Sequence, residues 1–420
     1  MEETDRSDLK SLISLLVGVV VLVALLTWWG GWALPVVIGS IFVMVMGHEF
    51  GHFIIAKRSG MEVSDFFVGF GPVIWSATYG GTRYGVRALL LGGYVKVPGM
   101  TWDATVPEEQ ESRTYRSASY PRKVIFASAG SFMHLVMAFL LAWASLTLIG
   151  LPSSSNVGIQ AFSHWDGYQK NAAQAAGLKI GDRVISVDGK LVTNVNVLID
   201  TVRNHAGKPM TLVVDRAGRD LTLKATPANE QTLKENGKPI YTGADSRGLL
   251  GVDLEELTVR TPWYSAIPGS FSRIGSMMAI AVHAMVHVFS PGEFASLFHQ
   301  VTSVKAATNP INQDTRPVSI VGVVRVAVQG AQSGTAVLLE ILMTVNIFVG
   351  MLNMLPLLPL DGGYVAIATY ERLRSRRGKR YHANLNLMTP VIYAFMTVLL
   401  VLFASTMYLD IAHPIANPFQ

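Results

Sequence analysis

The sequence predicts a polytopic α-helical membrane protein of about five transmembrane helices, with a cytoplasmic membrane-associated β-hairpin and an extracytoplasmic α+β domain. Three observations carry this. Half of the 420 residues are hydrophobic and only 15% are charged, a balance that excludes an ordinary soluble globule. Apolar runs long enough to cross a bilayer recur at Ser11–Trp29, Leu34–Ala56, Val124–Leu151, Thr335–Leu357 and Met388–Leu409. Between the third and fourth of these lies a polar stretch with turn signals such as Asp188-Gly189, the composition of folded soluble mass.

Composition also removes whole classes of function. The formal net charge of +5 does not require a nucleic-acid partner, because the basic residues cluster beside apolar helices and report orientation in the lipid bilayer. The chain has no cysteine, which excludes disulfides, thiolate metal sites and a cysteine nucleophile together. Any metal must be held by His, Asp or Glu.

Residues 1–33 hold the first span, Ser11–Trp29. Its acid-rich leader and the lack of a clean small-residue cleavage site argue against a cleaved signal peptide. Residues 34–60 form the second span, stopped by Lys57 and Arg58 on the side where positive charge accumulates. Residues 61–123 are too polar to span and carry Arg83, Arg87, Lys96, Arg113, Arg116, Arg122 and Lys123, so they are expected in the cytoplasm. Stretches around Asp65–Ser76 and Tyr84–Val97, joined through Tyr79-Gly80-Gly81-Thr82, read as a β-hairpin. Gly69, Gly71, Gly92 and Gly93 fit such a ribbon where it bends or where another backbone approaches, which leaves room for a peptide alongside.

Residues 124–151 form the next span. Its opening run of small residues, Ala127 to Ser131, lets it pack tightly against the second span, and His134 reads as a packing residue with one hydrogen bond. Residues 152–228 resemble a PDZ domain in its bacterial arrangement: Gly177-Leu178-Lys179-Ile180-Gly181-Asp182 follows a short helix and leads into a strand ending at Asp188-Gly189. Residues 229–334 extend that domain outside the membrane. Within them Tyr264–Phe289 contains Ser270, Ser272, Arg273, Ser276, His283 and His287. A crossing there would put the basic run Arg372 to Arg380 on the outer side, so an amphipathic or partly inserted helix on the outer surface is expected. Residues 335–370 contain the fourth span and a Pro-broken turn at Pro356 and Pro359. Residues 371–387 form a basic cytoplasmic loop, and residues 388–420 the last span and tail.

The second span carries His48-Glu49-Phe50-Gly51-His52 near its C-terminal end. Residues four apart share a helix face, so both imidazoles can reach one ion while Glu49 borders the same place. Two neutral imidazoles and a carboxylate base are the parts of a zinc hydrolase. Ionisable residues inside hydrocarbon cost about 2.5–3.5 kcal/mol each on insertion scales, so three on one turn point to a task. A catalytic zinc takes three protein ligands. Asp361 is the best candidate for the third, since the helices leading to both sites run from outside to inside and deliver them at similar depth. His283 and His287 have metal-like spacing but no glutamate after the first histidine, and they read as incidental.

With Phe67-Val68-Gly69-Phe70-Gly71-Pro72, Leu91-Gly92-Gly93-Tyr94-Val95-Lys96 and Asn353 to Gly363 in the same order, the chain resembles the bacterial site-2 proteases, intramembrane zinc metalloproteases with a PDZ-like domain. The resemblance covers nearly everything after Leu34. It implies that His48, His52 and Asp361 bind Zn2+, that Glu49 is the general base, and that Asn353, with the Gly92 and Gly93 hairpin segment, holds substrate. It further implies single-pass membrane protein substrates, such as anti-sigma factors or signal-peptide remnants, cut after an upstream site-1 type protease in the bacterial inner membrane. Ser131, His134 and Tyr364 stand where relatives commonly carry Pro, Asn and His. A catalytically silent membrane scaffold recruiting partners through the PDZ-like domain is the rival reading, and retention of Glu49 argues against it. A protease trimming soluble or prenylated tails at the inner surface is the other.

Overall fold

Apolar composition and a Gly-Gly break set the first two helices. α1, Glu2–Gly30, and α2, Ala33–Arg58, are separated at Gly31, whose φ of +72° suits glycine. The computed structural model describes residues 2–100, 106–375, 381, 383 and 388–419. Most of the basic loop expected at 371–387 lies outside these. The chain divides into two compact units, Met1–Trp143 with Ile267–Gln420, and Ala144–Ala266.

In the first unit, β1 (Asp65–Tyr79) and β2 (Thr82–Lys96) form the expected hairpin. Its two-residue turn, Gly80-Gly81, has φ of +57° and +75°, the pair of positive values that a type I′ turn requires. The ribbon folds back on itself, so residues 65–68 pair with 83–86 on one side and with 93–96 on the other. The glycines sit where backbones crowd: a Cβ on Gly69 would lie 2.7 Å from the Leu89 carbonyl oxygen, and one on Gly85 2.6 Å from that of Trp75.

α3, Tyr120–Ala144, continues as a π-turn, Ser145–Ile149. It packs antiparallel to α2: Gly47 lies against Met137, Gly51 against the Ala129 carbonyl, and His52 beside Phe126 at a ring separation of 5.2 Å. Gly47 and Gly51 are four apart on α2, the small-residue spacing that lets helices approach to backbone contact.

The second unit is a small α+β body. β3 (Leu151–Phe162), α4 (Ala172–Ala175), β4 (Arg183–Val187), β5 (Lys190–Leu191), α5 (Val195–Arg203), β6 (Met210–Arg216) and β7 (Arg219–Ala225) are followed by short pairs β8 (Ala228–Asn229), β9 (Lys234–Glu235), β10 (Lys238–Pro239) and β11 (Gly248–Leu249). β12, Val252–Val259, completes a sheet of order β12-β3-β4-β6-β7. The edge strand comes from beyond residue 228, pairing antiparallel with β3 from Val252 opposite Phe162 to Val259 opposite Leu151. Alternate inward residues, among them Val157, Ile159, Val184, Leu212 and Val214, close a core with Leu198 and Val202 of α5. Asp182 is buried and takes both Arg216 Nε at 2.7 Å and the Lys179 backbone N–H at 2.8 Å. Burial pushes its carboxyl up, but these partners outweigh burial and hold it below the ordinary value.

The chain re-enters the first unit through α6, Ala266–Val288, then α7 (Pro291–Thr302), α8 (Val304–Ala307), α9 (Pro310–Thr315), α10 (Ile320–Ser333), α11 (Thr335–Asn353), α12 (Asp361–Arg374) and α13 (Thr389–Ala412). Among the described residues, five helices are long and apolar enough to cross a membrane: α2, α3 with its π-turn, α6, α11 and α13. The number agrees with expectation and the membership differs, since α6 is among them and α1 contributes a shorter described apolar stretch, Leu16–Gly30.

α6 has the length and apolar character of a span, where the sequence reading expects an amphipathic or partly inserted helix on the outer surface. It lies along α3 and α11, with Ile274, Ala281, Met277 and Met278 packed among Ala138, Ala142, Met343 and Ile347. Its polar residues are satisfied locally: the Ser276 hydroxyl donates to the Ser272 carbonyl at 3.0 Å, and Arg273 pairs with Glu340 at 3.2 Å. Four residues further along both helices, the Thr344 hydroxyl meets Met277 Sδ at 3.5 Å, so α6 and α11 run parallel. The chain between them must return over a helix length, and the short helices α7 to α10 make that return. Arg316 and Asp410 pair at 3.0 Å with side-chain exposures of 0% and 1%, and Asp410 Oδ2 also accepts the Ser319 backbone N–H at 2.7 Å at the start of α10.

Candidate metal centre

His48 and His52 lie one turn apart on α2, and Asp361 is the first residue of α12. The turn between α11 and α12 folds tightly onto that helix start, because a Cβ on Gly363 would lie 2.6 Å from the Leu358 backbone nitrogen and one on Gly362 would collide with the Met354 carbonyl. Glycine at both positions brings Asp361 against α2. The Nε2 atoms of His48 and His52 are 3.2 Å apart, and each is 3.3 Å from Asp361 Oδ2. Side-chain exposures are 12%, 8% and 15%, so the group is largely withdrawn from solvent.

The residues fit a tetrahedral metal. His52 Nδ1–H donates to the Phe126 carbonyl at 2.9 Å, which leaves its Nε2 as a bare lone pair. Asp361 Oδ2 is buried with no hydrogen-bond donor. Lone pairs converging without a proton between them repel unless a cation joins them. With bonds of about 2.0–2.1 Å, tetrahedral zinc spaces its donor atoms about 3.3–3.4 Å apart, close to the observed triangle. Among the described residues this is the one such His, Asp and Glu group of three or more. His283 is not part of it, and His287 instead faces Glu293 at 3.6 Å.

Glu49 borders the group, and β2 lies against it: a Cβ on Gly93 would sit 3.1 Å from Glu49 Cγ. Gly92 packs instead under the Phe70 ring. Asn353 ends α11 just before the turn that carries Asp361. Two residues of α3 complete the surroundings. A Cβ on Gly130 would collide with both imidazoles, so α3 passes closer than any other residue permits. His134 stands 5.1 Å from His48 between ring centres and makes the hydrogen bond expected of it, Nδ1 to Asn346 Oδ1 at 3.0 Å. The small-residue run in the sequence pointed to a close helix approach; nothing in it singled out Gly130.

The profile of Peptidase family M50 matches residues 36–399. The chain belongs to that family. Similar proteins of this family include the zinc metalloprotease Rip1 of Mycobacterium tuberculosis, 30% identical over 91% of this chain and 96% of that protein, and Rip1 of Mycolicibacterium smegmatis, 27% identical over the same shares. The chloroplastic membrane metalloprotease ARASP of Arabidopsis thaliana is 24% identical over 80% of this chain and 70% of its own length. The site-2 protease resemblance is thereby borne out: the chain is a zinc metalloprotease, carried on helices long and apolar enough to span a membrane.

Proposed function

We propose that this M50 protease cleaves transmembrane segments of membrane proteins within the bilayer, with His48, His52 and Asp361 as the zinc ligands and Glu49 as the general base. The observation that carries the reading is the triangle of 3.2 and 3.3 Å edges between three donor atoms on helices of spanning character, with a glutamate at its border. Zinc, when bound, supplies the Lewis acidity that acidifies water and polarises the scissile carbonyl. Glu49 takes a proton from the attacking water and passes it to the departing amine nitrogen. A substrate helix must unwind before attack, and its freed backbone groups then need partners. The Gly92 and Gly93 stretch of β2 and the Asn353 side chain supply them by edge pairing and by holding the substrate backbone.

The bacterial inner membrane, an N-terminus in the cytoplasm and an extracytoplasmic PDZ-like unit complete the proposal. The parallel course of α6 and α11 is compatible with it, because the return through α7 to α10 lets α11 enter from the same side as α6 and keeps the basic run Arg372 to Arg380 inside. The PDZ-like unit excludes substrates with bulky ectodomains, so that cleavage follows an upstream site-1 type protease and releases anti-sigma factors or clears signal-peptide remnants. Reporters with long and trimmed ectodomains test this. Equal cleavage of both by the wild type and by a form lacking residues 153–227 sinks the filter. A soluble peptide cut as well as a membrane-spanning one sinks the intramembrane reading, and zinc retention with unchanged cleavage in Glu49→Gln removes Glu49 as the base.

A further inference from the structure

His48 has one nitrogen for the metal group and one left over. Its Nδ1 is buried without a hydrogen-bond partner. A neutral imidazole that ligates through Nε2 carries its proton on Nδ1, and such an N–H needs an acceptor when buried. For His52 the acceptor is the Phe126 carbonyl of α3. The edge of the His48 ring that carries Nδ1 also faces α3: a Cβ on Gly130 would lie 2.6 Å from His48 Nδ1. Phe126, Gly130 and His134 are spaced by four along α3 and share one face.

The protons of His134 are assigned by its other neighbour. Asn346 is fully buried, and its amide nitrogen donates to the Leu342 carbonyl at 2.9 Å. Its oxygen therefore faces His134 and accepts Nδ1–H at 3.0 Å. In the neutral ring this makes His134 Nε2 an acceptor, the complement of a protonated His48 Nδ1. A linear N–H···N bond of about 2.9–3.0 Å between two imidazoles puts their centres about 5.2 Å apart. The two rings, tilted by 46°, stand at 5.1 Å, which is the centre separation that such a bond has.

We infer that His134 is a positioning residue for zinc: its Nε2 accepts the Nδ1–H of His48, closing a chain from the Leu342 carbonyl through Asn346 and His134 that fixes the tautomer and plane of the His48 ligand. The inference rests on the proposed ligation by His48. It gives α3 a part in holding both imidazoles, through Phe126 for His52 and through His134 for His48.

Zinc affinity of the full-length protein in detergent, measured by competition with a chromogenic chelator, tests it in the wild type, His134→Phe and His134→Gln. Phenylalanine keeps a ring and removes the acceptor; glutamine loses the ring and keeps an acceptor oxygen near the place of Nε2. Loss of an outer partner of a ligating histidine weakens metal binding about 10–100-fold, so His134→Phe should fall by that factor and His134→Gln by less than about threefold. Wild-type affinity in His134→Phe, or an equal loss in both variants, overturns the inference. A structure of the zinc-loaded wild type decides it without variants: a His48 Nδ1 to His134 Nε2 separation within about 3.2 Å supports it, and a longer one overturns it. Zinc that survives His48→Ala would instead strike the ligand assignment itself, which separates the two failures.

Discussion

Replacing Gly130 by alanine adds one methyl group in the narrowest place in the site. The added Cβ would lie 2.6 Å from His48 Nδ1 and closer still to His48 Cε1 and His52 Nε2. Ordinary contact is about 3.5–4.0 Å, so α3 and the imidazoles must separate by about 1 Å. In stability the change is small: about 1–3 kcal/mol of overpacking is set against about 1 kcal/mol gained from alanine's helix propensity. In function it is large, because a misplacement of about 1 Å costs about 100-fold in rate, or about 2.7 kcal/mol of barrier. Cleavage of a membrane-spanning reporter in vesicles, with zinc content measured on the same preparation, should show a loss of at least that size and reduced zinc. Gly39→Ala on α2 is the control, since nothing lies within 4 Å of its added Cβ, and it should leave both quantities unchanged. Gly130→Ala with near wild-type cleavage and full zinc would refute the packing argument and the site geometry with it.

Other expectations follow from the same structure. Glu49→Gln should keep zinc while lowering the cleavage rate about 100- to 10,000-fold, measured against the same reporter; loss of zinc would instead make Glu49 part of the ligand set. Asp410→Ala leaves the Arg316 charge buried and unpaired, which should cost about 3–5 kcal/mol in thermal unfolding in detergent. The double change Arg316→Met with Asp410→Leu should recover much of that loss, and equal melting of Asp410→Ala and wild type would remove the pair as a stabilising element. Asp182 has a folded-state pKa below its ordinary 3.8, so its contribution is present above about pH 4 and is lost as pH falls through the lowered value. Protection of the β4 and β6 amides in the full chain, taken relative to intrinsic exchange at each pH, should therefore fall below about pH 4, and Asp182→Asn should flatten that dependence.

How far the sequence could be read follows from how local each signal is. The spacing of His48, Glu49 and His52 is a property of one helix turn, and the Gly80-Gly81 turn is a property of four residues, so both are visible in the chain itself. The approach of Asp361 was accessible because topology placed two helix ends at one depth. β12 was harder: its pairing with β3 joins residues about 100 apart, across a polar stretch with no periodicity of its own. α6 was read as a surface helix because a crossing there would put the basic run Arg372 to Arg380 outside, and the return of the chain through α7 to α10, which removes that objection, becomes visible only on folding. Gly130 and His134 matter through which atoms they face, and the sequence carries no mark of that.

The hydrogen bond from His52 to Phe126 also places a proton on Nδ1 of that ring. On the proposed ligation, with both imidazoles neutral and Asp361 and Glu49 ionised, a divalent cation would bring the sum to zero. In a medium where each uncompensated charge is penalised by about 2.5–3.5 kcal/mol, electroneutrality would then tie the ion to the assembly of α2 with α12. Stripping the ion should then loosen that helix pairing as well as stop catalysis, so that on the proposed ligation zinc would also brace the two helices.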